Sequence, residues 1–109
     1  MPVKPVVPRE AAAQDVESAI DYYVNEGAAQ AAYDFVDCLE QAYRHISLNP
    51  LTGSPRYAHE LNIPGLRFWP ITRFPYLIFY LETDEGLDVW RVLHCSRDIP
   101  ASMNEPDLH

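Results

Sequence analysis

Between Leu66 and Ile99 the chain passes through three stretches rich in aromatic and β-branched residues, separated by intervals too short to hold anything except turns. That succession constrains the fold more than any other feature. Phe74 to Leu81 and Val89 to Leu93 are joined by Thr83, Asp84, Glu85 and Gly86, an interval with the length and the glycine of a hairpin loop. Strands connected this tightly pair antiparallel. Strands are expected at residues 66 to 71, 74 to 82 and 87 to 95.

The N-terminal half carries a different period. From Ala12 the apolar residues recur at Val16, Ile20 and Tyr23, while Gln14, Asp15, Glu17, Ser18 and Asp21 fall elsewhere, which predicts a one-sided helix ending at Gly27. Ala28, Ala32, Phe35, Leu39, Ala42 and Ile46 then alternate spacings of four and three, which predicts a second helix. So short a connection makes the pair an antiparallel hairpin. Before it, Val3 to Val7 forms a short strand, placed at a sheet edge because Pro5 lacks a donor, and Pro8 suits a first helical turn. Asn49 to Pro55, with two prolines and a glycine, is a loop. The expected fold class is therefore α+β, two-layer, in the order β-α-α-β-β-β, with the helical hairpin packed on one face of an antiparallel sheet. Alternation along the third strand puts Leu77, Phe79 and Leu81 toward the helices and Tyr76, Ile78 and Tyr80 opposite. Arg91 of the fourth strand is assigned to the open face.

A chain of 109 residues with 48% hydrophobic and 12% aromatic content supports one modest core, expected over residues 1 to 103 with a flexible tail at 104 to 109. No apolar run approaches the roughly 20 residues of a membrane span, and no basic, then apolar, leader opens the sequence, so a soluble cytoplasmic protein is expected. Cys38 and Cys95 lack metal-ligand spacing and read as buried free thiols; no metal and no cofactor is expected. The formal charge of −8 argues against direct binding of nucleic acid. It is also uneven: residues 1 to 48 hold eight acids against Lys4, Arg9 and Arg44, whereas from Arg56 to Arg97 five arginines meet five acids.

Arg73, Arg91, His94 and Arg97 are the residues nearest to a catalytic set. A ribonuclease could use His94 as acid or base, with arginines stabilising a phosphorane-like transition state. One histidine at a strand end is more often a packing or hydrogen-bonding residue, and Arg97 with Asp98 reads more simply as a pin for the C-terminal turn. Cys95 beside His94 lacks the geometry of a thiol protease. No phosphate-binding glycine loop or HExxH helix occurs.

Nearly the whole chain resembles the ParE branch of the RelE/ParE toxin superfamily. The resemblance runs from Asp15-Val-Glu-Ser-Ala-Ile-Asp-Tyr-Tyr23 through Asn49-Pro50, Gly53 and Pro64-Gly65-Leu66-Arg67. It continues over Phe74 to Tyr80 and Arg91 to His94, and closes on Arg97-Asp98-Ile99. It implies the toxin of a type II toxin-antitoxin module of the plasmid-stabilisation kind, inhibiting growth by poisoning DNA gyrase. A ParD-like antitoxin would neutralise it in a hetero-oligomer. The related RelE nucleases carry several basic residues in the sheet cleft and often a late tyrosine. Here Lys4 is the only lysine and no tyrosine follows His94, which favours a non-enzymatic ParE toxin with Arg91 and Arg97 as target-binding candidates. Two alternatives stay open: a ribosome-dependent mRNA endonuclease using His94, Arg91 and Arg97, and an inactive relative that only binds its antitoxin. Many toxins of the superfamily are basic, and this chain is acidic. Antitoxin contacts are accordingly expected to be mainly apolar, with antitoxin carboxylates confined to Arg56, Arg67 and Arg73.

Overall fold

The computed structural model describes residues 4–104. Its elements are β1 (Val6–Pro8), α1 (Glu10–Asn25), α2 (Ala29–Leu48), a 3-10 turn (Pro50–Thr52), α3 (Arg56–Glu60), β2 (Leu66–Pro70), β3 (Tyr76–Glu82), β4 (Leu87–His94) and α4 (Ile99–Met103). The helix–helix–strand–strand–strand order follows the two sequence periods. Gly27 closes α1 with φ of 72°, a left-handed conformation that costs glycine little, and the backbone N–H groups of Glu26, Gly27 and Ala28 bond back to the last turn. The helical stripe of α2 is buried at Ala32, Phe35, Leu39, Ala42 and Ile46.

The sheet order is β1-β4-β3-β2. β2, β3 and β4 pair antiparallel, as their short connections require, but β1 pairs parallel to β4, making the sheet mixed. The hairpin of α1 and α2 returns the chain between those two strands, and a crossover of this length permits parallel pairing. β1 lies at the edge, as Pro5 implies. Pro8, however, is the last strand residue and not part of the helix, which begins after Arg9. Val3, assigned to the same strand, lies outside the described residues.

Both faces of the sheet are covered, and the assignment of faces from alternation is reversed. Ile78 and Tyr80 pack with Phe35, Leu39 and Ile46 under the hairpin, joined by Tyr76. Leu77, Phe79 and Leu81 pack on the other side with Leu66, Leu93 and Ile99, beneath Tyr57 of α3 and Met103 of α4. The error has a physical source: both alternating sets are apolar, so alternation alone could not say which set meets the long helices. Nor was either short helix anticipated. Asp98 caps α4 by accepting from the Ala101 N–H at 3.2 Å and Ile99 is buried; the tail expected at 104 to 109 lies, from residue 105 on, outside the described residues.

β4 contains a bulge. Phe79 pairs with Arg91 and Tyr80 with Val89, so Trp90 is the extra residue. This puts Val89 and Val92, three apart, in the same cluster under the hairpin. Phe74 precedes β3 in a turn where Arg73 takes φ of 72°. A second local closure centres on Tyr80, which is fully buried: its hydroxyl donates to the Pro50 carbonyl at 2.7 Å and accepts from the Gly53 N–H at 3.0 Å. A Cβ on residue 53 would stand 2.5 Å from that hydroxyl oxygen, so only glycine fits.

Candidate functional site

The C-terminal end of β4 and the turn beyond it carry Arg91, His94, Arg97 and Asp98. Arg91 stands opposite Phe79, on the face away from the hairpin as expected, but that face is not open. Its Nε and Nη2 donate to the two oxygens of Asp15 in α1 at 2.7 and 2.8 Å, and Nη1 donates to the Ser102 carbonyl at 2.7 Å. Each side chain of the pair is only 13% exposed. The same Asp15 carboxylate accepts from the backbone N–H of Val92 at 3.0 Å, beyond the point where β1 ends its pairing with β4. One carboxylate thus completes the strand edge and neutralises a partly buried cation. Nearby, burial and then the Asp15 charge push the Tyr43 phenol up to about 12.

His94 is half-buried with its ring edge-on to Tyr76 at 5.1 Å between centroids. Its Nδ1 accepts from the Ser96 backbone N–H at 3.0 Å and also lies 2.8 Å from the Ser96 hydroxyl. In the neutral ring this places the hydrogen on Nε2. Arg97 is exposed, and its Nε donates to the Ser102 hydroxyl at 3.1 Å. Arg97 and Asp98 therefore do pin the C-terminal turn. The neighbouring Cys95 is exposed, against the expectation of two buried thiols; Cys38 is buried.

The three arginines assigned to antitoxin binding are held differently. Arg67 Nη1 donates to the carbonyls of Gly53 at 2.7 Å and Leu51 at 3.3 Å, tying the loop to β2. Arg56 is exposed and lies over the Tyr57 ring, 5.1 Å from its centroid. Arg73 is 68% exposed, with Nη2 4.0 Å from Asp34. Among the described residues, no group of three or more His, Cys, Asp or Glu could hold a metal ion, and no helix is long and apolar enough to cross a membrane.

Outside these residues, α1 and α2 enclose an apolar groove of about 250 Å³ lined by Ile20, Val24, Ala29, Ala32, Tyr33 and Val36. Val24 and Tyr33 are 52% and 71% exposed. This groove was hidden in the sequence, because Ile20 and Ala32 read as part of the buried stripes and Val24, Ala29, Tyr33 and Val36 lie beside them on ordinary helical positions.

The family described as the ParE toxin of type II toxin-antitoxin system, parDE, matches residues 6–99. The chain belongs to the ParE toxin family. The match takes in every element from β1 to the first residue of α4. A solved structure titled "Chromosomal ParDE TA system from P. aeruginosa" is similar with a TM-score of 0.69 at 18% identity, covering 84% of this chain and 96% of that one. At that identity the likeness speaks for the fold alone. No curated protein matches the sequence. Within this ParE-family fold, the residue that sequence reasoning missed is Asp15. In the sequence it falls among the polar positions of the first helix, and its partners, Arg91 and the Val92 N–H, lie some 76 residues away on β4, so no local signal points to it.

Proposed function

We propose that this ParE-family toxin inhibits growth by binding and poisoning DNA gyrase, without cleaving RNA, and that a ParD-like antitoxin neutralises it in a hetero-oligomer in the cytoplasm. The observation that carries the non-enzymatic reading is the commitment of Arg91. A nuclease would need that guanidinium facing a phosphate beside His94, whereas its Nε and Nη2 are held by Asp15 and Nη1 by the Ser102 carbonyl. His94 likewise has Nδ1 occupied by Ser96. A binding toxin needs less: a shaped surface and a few anchoring side chains. Arg97, exposed on the C-terminal turn, is the leading anchor, and Arg91 supports the turn through Ser102. On the antitoxin side, Arg56 and Arg73 are the exposed cations available to carboxylates, with Arg67 holding the Leu51–Gly53 loop.

Two assays on purified toxin test the proposal together: gyrase supercoiling with trapped cleavage complexes, and mRNA cleavage on programmed ribosomes. Inhibited supercoiling with no ribosomal cleavage is expected. Ribosome-dependent cuts that vanish in His94→Ala, with supercoiling unaffected, would replace the proposal by the endonuclease reading.

A further inference from the structure

The groove between α1 and α2 is apolar inside and acidic along its sides. Glu17 and Asp21 precede Ile20 and Val24 by three residues on α1, and Asp37 and Glu40 follow Tyr33 and Val36 by four on α2; at these spacings each carboxylate neighbours a groove residue on the helix surface. All four are exposed. None of them is in an ion pair with another described residue, although Lys4, Arg9, Arg73 and Arg91 all find acids elsewhere. Arg44, exposed four residues after Glu40, offsets part of this charge, but four acids against that cation leave a net negative border around exposed Val24 and Tyr33.

We propose that this groove receives an amphipathic helix whose apolar stripe is flanked by lysines and arginines. Helix-in-groove docking uses anchors at i, i+3, i+4 and i+7, and an apolar cleft between two antiparallel helices suits such a stripe. Charge decides the occupant. A second copy of this chain, with formal charge −8, would bring acid against acid, and an acidic helix would leave four carboxylates facing repulsion. A basic-flanked helix buries the apolar floor and satisfies both borders. Identifying the polypeptide that supplies it as the antitoxin rests on the toxin–antitoxin reading above; the chemistry of the helix does not.

The test uses the full chain and two designed helical peptides that share one leucine stripe, one flanked by lysines and one by glutamates. NMR chemical-shift mapping and titration at low and high salt read the site and the affinity. The lysine peptide should bind with shifts centred on Ala29, Ala32 and Val36, and the glutamate peptide should not. Neutralising the border with Glu17→Gln, Asp21→Asn, Asp37→Asn and Glu40→Gln should weaken binding about tenfold at low salt and less at high salt. Tyr33→Ala with Val24→Ser leaves the charge intact and should weaken it as well, which separates docking from diffuse attraction. Equal binding of both peptides, a footprint elsewhere, or indifference to either set of substitutions would overturn the proposal. Titration with the cognate antitoxin is a separate arm. Tight binding that leaves the groove unshifted defeats this inference and spares the toxin–antitoxin reading, whereas failure to bind defeats that reading while the peptides still decide the groove.

Discussion

Arg91 and Asp15, 76 positions apart, are joined through two hydrogen bonds of 2.7 and 2.8 Å, and Asp15 spends a further bond on the Val92 N–H. Removing the carboxylate strands a partly buried guanidinium and a strand N–H together. Asp15→Ala is expected to cost about 3 kcal/mol of stability in urea unfolding, and Asp15→Asn less, because its side-chain oxygen can still accept from Val92. A loss below about 0.5 kcal/mol, the scale of ordinary surface changes, would show that the pair is peripheral to the fold.

Gly53 and Tyr80 make a second coupled pair. Gly53→Ala is expected to destabilise strongly, since the new methyl would meet both the Tyr80 hydroxyl at 2.5 Å and the Phe68 carbonyl at 2.8 Å. Tyr80→Phe removes a donor to Pro50 and an acceptor for Gly53, at about 1–3 kcal/mol. The double variant should lose less than the two singles added, measured as a coupling energy in a double-mutant cycle. Strict additivity would mean that the hydroxyl is not what excludes a side chain at residue 53.

For target binding, Arg97→Ala is the informative substitution. It removes a bond to the Ser102 hydroxyl and should lower stability by no more than about 1 kcal/mol, while weakening gyrase inhibition about tenfold or more. Arg91→Ala should lose both stability and inhibition, so its phenotype alone cannot identify an anchor. Supercoiling inhibition that survives Arg97→Ala unchanged would remove Arg97 from the target surface.

At alkaline pH the sign follows from Tyr43. Its folded-state value stands near 12 against the ordinary 10.0, so the folded chain holds that proton more tightly than the unfolded chain does. The associated stability is complete below pH 10 and is lost as the pH rises toward 12. Tyr43→Phe should make the alkaline loss of stability shallower, without abolishing it, because burial raises Tyr23, Tyr76 and Tyr80 too. An unchanged slope in denaturation between those pH values would exclude Tyr43 as a contributor.

The order of the main elements was legible because each depends on local periodicity: Phe35 to Ile46 can only bury one helical stripe, and Thr83 to Gly86 can only turn. What escaped depends on contacts between distant segments. The rings of Tyr76 and Tyr80 with Ile78 are apolar enough to compete with Leu77, Phe79 and Leu81 for the core under the hairpin, so the choice of face waits on where α3 and α4 lie. Those helices are five residues each, too short to display a period. Trp90 gives no sign of a bulge, and without the bulge strict alternation separates Val89 from Val92. The site residues divide the same way. Asp98 as a cap is readable from its neighbours, whereas Asp15 becomes meaningful only when the sheet delivers Arg91.

Each side of the sheet has a point where the chain itself takes up backbone groups beyond the strand ladder. On one, Asp15 takes the Val92 N–H where β1 stops; on the other, Ser54 exchanges backbone bonds of 2.9 and 3.0 Å with Phe68 of β2. Strands as aromatic as these would otherwise recruit like strands from neighbouring molecules. Substituting Asp15 frees a backbone N–H on β4 as well as weakening a helix contact, so a loss of solubility should accompany the loss of stability.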